Sequence, residues 1–130
     1  MSPVLRRVAL AAALVAFACS KSPTGPQAGT LLVKLQDPNG GDGAILFTIS
    51  GPTALTNVQA GAGDTLWTTD FSSTVSHVVL TGVIGNGVIL KFDVPDVNVS
   101  GSYIVAVNQA ASSSDYSLRS LTNYVAFVSR

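Results

Sequence analysis

Ala44-Ile45-Leu46-Phe47-Thr48-Ile49-Ser50 is the stretch that decides the fold. Ile45, Phe47 and Ile49 stand at every second position, and a strand turns alternate side chains to opposite faces, so all three share one side. The same alternation extends outward in both directions. Thr30 to Gln36 sets Leu31, Val33 and Leu35 against Leu32, Lys34 and Gln36. Between the two strands, Asp37-Pro38-Asn39-Gly40-Gly41-Asp42-Gly43 is turn chemistry: Gly and Asn accept positive φ, and Pro fixes its own. Gly51-Pro52 stops the second strand. Thr56 to Ala60 forms a weaker one around Val58, and Gly61-Ala62-Gly63-Asp64 turns into Thr65–Thr69 with Leu66 and Trp67.

Thr74 to Leu80 alternates Val75, His77 and Val79 against Ser76, Val78 and Leu80. Gly82 to Gly87 is punctuated by glycine, with Gly85-Asn86-Gly87 as a tight turn. Val88 to Val94 places Val88, Leu90, Phe92 and Val94 inward and Lys91 and Asp93 outward, and Pro95 ends it. Asp96 to Gly101 reads as a loop. Ser102 to Asn108 sets Tyr103, Val105 and Val107 against Ile104 and Ala106. Ala110 to Asp115 is small and polar. Tyr116 to Asn123 is either one helical turn or an irregular link, and Tyr124 to Val128 closes the chain as a strand. About eight short strands at these turn spacings predict an all-β antiparallel sandwich over residues 30–130.

The N-terminus is of another kind. Arg6 and Arg7 precede an unbroken apolar run, Val8 to Ala18. As a helix that run spans roughly 16 Å, short of the roughly 20 apolar residues that cross a bilayer core. Small residues follow it, as in a helical secretory signal, so residues 1–18 read as a signal peptide. Ala16-Phe17-Ala18-Cys19 resembles a bacterial lipobox, in which a small residue precedes a cysteine that becomes acylated. Ala16 and Ala18 also suit the ordinary signal peptidase, which would leave a secreted domain. Cys19 is the only cysteine, so it has no disulfide partner within the chain, and a free exported thiol would be an oxidation liability. Lipid attachment at Cys19 accounts for its place. Residues 19–29 are rich in Ser, Pro and Gly and have nothing large to bury, which is the composition of a flexible tether. The expected address is the cell envelope, with the membrane as partner through the lipid. Ser20 stands where some bacteria use Asp to retain lipoproteins at the inner membrane, which favours the outer membrane.

Beyond the signal, five basic residues face seven aspartates, a net charge of about −2, and glutamate is absent from the chain. With no basic patch, nucleic acid is not an expected partner. The usual helix-forming surface residues are scarce. His77 is the only histidine; zinc wants several His or Cys ligands, so no metal is expected and His77 reads as a packed or rim residue. No Gly-x-Ser-x-Gly nucleophile turn occurs. Asp37, Asn39 and Asp42 offer oxygens to calcium, but without the spacing or distal Glu of an EF-hand; a turn held by Asx bonds is the simpler reading. No catalytic residues or cofactor are assigned. Trp67, the only tryptophan, sits among Thr65, Thr68, Thr69 and Asp70. In a small sandwich a lone Trp commonly belongs to the core or its edge; exposed, it would stack on a sugar or anchor a protein. Tyr116, in a serine-rich loop, is a second candidate ligand contact.

Gly43-Ala44-Ile45-Leu46-Phe47-Thr48-Ile49-Ser50 and Gly87-Val88-Ile89-Leu90-Lys91-Phe92-Asp93-Val94, with Gly101-Ser102-Tyr103-Ile104-Val105-Ala106-Val107 after them, resemble the strands of cohesin-type domains. Those are jelly-roll sandwiches related to certain carbohydrate-binding modules. The resemblance implies a jelly-roll, cohesin-like or Ig-like sandwich with a binding rather than a catalytic role. The lipobox, tether and lone sandwich together also resemble small bacterial envelope lipoproteins. The expected function is therefore a non-catalytic envelope module that presents its sandwich to a protein or glycan. A glycan hydrolase using Asp residues and a self-assembling surface subunit are the alternatives.

Overall fold

The structure, a computed structural model, describes residues 25–68 and 73–130. The signal peptide (1–18), Cys19, the first part of the tether and Asp70 lie outside the described residues.

Among the described residues, eight strands form two four-stranded antiparallel sheets, the sandwich that the alternation predicts. They are β1 (Gly29–Gln36), β2 (Asp42–Ser50), β3 (Thr56–Ala60), β4 (Thr65–Thr68), β5 (Val75–Ile84), β6 (Gly87–Val94), β7 (Ile104–Ser112) and β8 (Val125–Ser129). Sheet A has the order β3-β6-β1-β8 and sheet B the order β4-β5-β2-β7. Only β4 and β5 are consecutive neighbours in one sheet; every other connection crosses between sheets. Each inner face contributes its alternate residues to one core: Leu31, Val33, Leu35, Leu90 and Phe92 from sheet A, and Ile45, Phe47, Ile49, Val78 and Leu80 from sheet B. Phe47 and Phe92 are fully buried. Tyr103, also buried, tilts against Phe92 with ring centroids 5.7 Å apart. Its hydroxyl shares a 2.7 Å hydrogen bond with Thr53.

Several local expectations change. Val88 does not point inward; it is exposed, and Ile89 is buried beside Leu90. The cause is a bulge opposite Val33 and Lys34, where β6 holds one residue more than β1. β5 continues to Ile84 through Gly82, at φ +142°. Gly82 carries a second bulge, opposite the start of β2. The small residues Ala110–Ser112 belong to β7 and pair with Asp42–Ile45. The segment read as a loop at 96–101 holds a short 3-10 turn, Val97–Ser102, whose first turn is capped by the Asp96 carboxylate accepting from the Asn98 amide at 3.0 Å. Residues 116–123 form the irregular link, joined to β7 by a single bridge, Ala111 to Leu118. At the end of the tether, Gln27 is held: its amide donates to Asp96 at 3.2 Å and its carbonyl accepts from the Val97 amide at 2.8 Å. The chain thus enters β1 at one pole of the sandwich. The 37–41 turn, the 85–86 turn and the 113–124 link lie at the other. No helix among the described residues is long and apolar enough to cross a membrane.

Candidate functional site

The outer face of sheet B can be read row by row from its register. Thr65, Thr81, Ala44 and Ala111 cross the sheet in one row, and Trp67, Val79, Leu46 and Gln109 in the next. His77, Thr48 and Ala106 follow, then Val75, Ser50 and Ile104. None of these fourteen residues is Asp, Glu, Lys or Arg. At the centre a shallow hollow of about 190 Å³ is bounded by Ala44, Leu46, Val79, Gln109, Ala111 and Leu118. Leu118 overhangs it from the irregular link, where its pairing to Ala111 adds one residue beyond β7.

Trp67 is not a core residue: 58% of it is exposed. It lies on β4, an edge strand, and β4 turns Leu66 toward the core, which turns Trp67 out. Its indole Nε1 donates to Thr81 Oγ1 at 2.9 Å. That bond fixes the ring over the adjacent strand while leaving much of its surface open. An aromatic plane held next to hydroxyl and amide groups suits a ligand with an apolar face and a polar rim. His77, two residues from Val79, is exposed on this same face.

Tyr116 stands at the other side of the sheet. A tight cluster positions it: Ser112 Oγ donates to Asp115 Oδ1 at 2.9 Å, and the Ser117 amide and hydroxyl donate to the same oxygen at 3.1 and 2.8 Å. The Ser117 amide, first among these donors, holds the Asp115 carboxyl below its ordinary range. Tyr116 takes a left-handed φ of +56° and lies over the Gly43 backbone, where a Cβ would come within 2.9 Å of the ring and 2.8 Å of the Ser112 carbonyl oxygen. Tyr116 is 61% exposed. Trp67 on β4 and Tyr116 in the link after β7 thus come from opposite ends of sheet B's strand order. β4 and β7 lie three strand spacings apart, roughly 14 Å, and the hollow lies between them.

A second constellation, at the pole opposite chain entry, was not apparent in the sequence. Asp42 is fully buried. Arg119 Nη1 donates to its Oδ1 at 2.9 Å and to the Gly41 carbonyl at 2.8 Å. The Tyr124 hydroxyl lies 3.0 Å from both of its carboxylate oxygens and accepts from Asn39 Nδ2 at 3.0 Å. Asp37 is buried as well, at the start of the same turn. Burial, then Asp37, push the Asp42 carboxyl up to about 6, against the opposing pull of Tyr124 and Arg119. Burial, more than the contact with Asp42, raises the Tyr124 hydroxyl above its ordinary value. The expected Asx turn is present, with the Asn39 amide donating to Asp37 Oδ1 at 2.8 Å. As a cation site the cluster is unsuited, because the Arg119 guanidinium already occupies the approach to Asp42. No group of three or more His, Cys, Asp or Glu among the described residues could hold a metal ion. As a glycosidase pair it is equally unsuited, since such carboxyls flank an open scissile bond, and these two are buried. Comparison with family models, with curated proteins and with solved structures gives no match.

Proposed function

We propose that this chain is a non-catalytic cell-envelope module, held to the outer membrane through lipid on Cys19, that binds a neutral glycan on the outer face of sheet B. One observation carries the reading: the only tryptophan is displayed, and fixed by Thr81, on a sheet face whose fourteen described residues carry no formal charge. Sugar rings offer apolar C–H faces and hydroxyl edges. Trp67, Val79 and Leu46 meet the first, and Gln109, Thr48 and Thr81 meet the second. The resemblance to carbohydrate-binding sandwiches points the same way, and the signal, lipobox-like cysteine and tether supply the address.

Because Trp67 is the sole tryptophan, its fluorescence reports on this face alone. Titration with a panel of soluble neutral polysaccharides should shift or quench the emission with saturation, and Trp67→Ala should abolish retention on the same polysaccharide in affinity electrophoresis. A panel that leaves both emission and mobility unchanged would remove the glycan reading. Retention of a single envelope protein that depends on Trp67 would replace it with a protein partner. Radiolabelled palmitate tests the address: label that persists in Cys19→Ala rules out the anchor.

A further inference from the structure

We propose that Leu118 is the far wall of the site, so that the ligand is a linear chain of several neutral sugar units laid across the strands from Trp67 to Leu118. The inference rests on the reading of sheet B's outer face as a glycan site, and it sets the length and direction of what that face takes. Two large apolar side chains stand at opposite ends of the face. Trp67 is on the edge strand β4, and Leu118 extends the sheet beyond β7 through its bridge to Ala111. Leu118 is 70% exposed, yet its backbone is held on both sides. The Ser112 amide donates to the Ser117 carbonyl at 2.9 Å, and the Arg119 amide donates to the Ala110 carbonyl at 2.8 Å. The Arg119 guanidinium is tied in turn to the buried Asp42 and to the Gly41 carbonyl. These bonds fix the place of Leu118 before any ligand arrives, as the bond to Thr81 fixes Trp67, and that lowers the ordering cost of binding.

The floor between the two ends is low. Ala44 and Ala111 carry only a methyl group, and Leu46 and Val79 are half-buried, so the hollow opens between Trp67 and Leu118. From β4 to Leu118 the sheet advances four strand spacings, roughly 19 Å. One unit of a pyranose chain advances by about one strand spacing, so neither a single ring nor a disaccharide meets both ends. A chain laid along the strands would pass toward Ile104, which is on the same face and also exposed, and would leave Leu118 unused.

Trp67 emission of the purified protein, followed during titration with cello-, laminari- and malto-oligosaccharides from the single sugar to the hexasaccharide, reads the length of the site. In the series that binds, affinity should climb with each added unit up to about four and level off beyond. Leu118→Ala should weaken the hexasaccharide about fivefold, the share of a leucine partly withdrawn from water, and leave the disaccharide unchanged. Ile104→Ala should change neither. Both side chains are exposed, so the fold should survive both substitutions. A single sugar bound as tightly as the hexasaccharide would overturn the inference and leave the Trp67 reading standing. A loss in Ile104→Ala with none in Leu118→Ala would overturn it as well, by turning the chain along the strands. Silence of all three series counts against the inference alone if a polysaccharide is still retained through Trp67, and against both readings if none is.

Discussion

The outer faces of the two sheets rest on one core but are dressed differently. Sheet A turns out Lys34, Lys91 and Asp93 along its central strands. Asp93 accepts from Thr30 at 2.6 Å and from Asn57 at 3.0 Å, and those bonds hold its carboxyl below the ordinary range. Sheet A also exposes apolar groups, Val88 on β6 and Val125 and Phe127 on β8, and register sets Phe127 and Val88 beside Lys34 and Val125 beside Gln36. Sheet B turns out threonine, alanine, leucine, glutamine and one tryptophan, and no formal charge among the described residues. Burial cannot account for the difference, since both faces look outward. A face that only meets water gains solubility from charge. A face that desolvates against a ligand avoids charge, because each charge removed from water carries a penalty.

The largest effect tests whether the faces share one foundation. Phe47 is fully buried under sheet B and packs into the core common to both sheets. Phe47→Ala should cost about 3–5 kcal/mol. In urea, Trp67 emission, which reports on sheet B, and far-ultraviolet dichroism, which reports on all strands, should lose their transitions at one midpoint. Two separated midpoints would make the sheets independent units and undo the comparison.

Next in size is the buried ion pair at the far pole. Arg119→Ala leaves the Asp42 carboxylate without its counter-charge and should cost roughly 3 kcal/mol at pH 7.5. The cost should shrink below pH 6, where Asp42 takes up a proton. The same titration shapes the native protein. Asp42 is raised from 3.8 to about 6 on folding, so the folded state binds the proton more tightly. Stability from this group is full below pH 4 and is lost as pH rises through 6. Asp64 is raised too, by burial, and acts in the same direction. Asp93, Asp96 and Asp115 are lowered by hydrogen bonds, and their contribution is lost as pH falls below 4. Melting temperature should therefore peak between about pH 4 and 6. A peak above pH 7 would mean that Asp42 is ionised at little cost.

How much of this could be read from residues alone depends on range. The strand at Ile45, Phe47 and Ile49 was legible because period two is local. So was the Asx turn at Asp37–Asn39, which spans two residues. The exchange of Val88 for Ile89 was not, because a bulge depends on the partner strand's register and not on the strand's own pattern. Trp67 was ambiguous for a related reason. Leu66 and Trp67 stand side by side, and the pattern does not say which of them faces the core; Leu66 does, which leaves Trp67 on the outer face. The Asp42 cluster was the least accessible. Its turn chemistry reads as solvated loop, while Arg119 and Tyr124 come from 77 and 82 residues away.

The smallest effects bear most directly on the two faces. Trp67→Ala removes a mostly exposed ring and one hydrogen bond, so unfolding should shift by about 1 kcal/mol or less, while affinity for the polysaccharide should fall about tenfold or more. Lys91 is its counterpart on sheet A, exposed on a central strand. Lys91→Ala should alter stability by no more than about 0.5 kcal/mol and leave the affinity unchanged. The pair of variants separates a specific face from a generally adhesive one. A long-range field would let a positive side chain on either face influence an anionic ligand, and Lys91→Ala would then weaken binding in proportion to salt. A neutral ligand seated on Trp67 feels no such field, so the Lys91 variant and a rise in ionic strength should both leave its dissociation constant where it was. Any weakening by Lys91→Ala that salt reproduces would move the binding site off sheet B or change the ligand's charge.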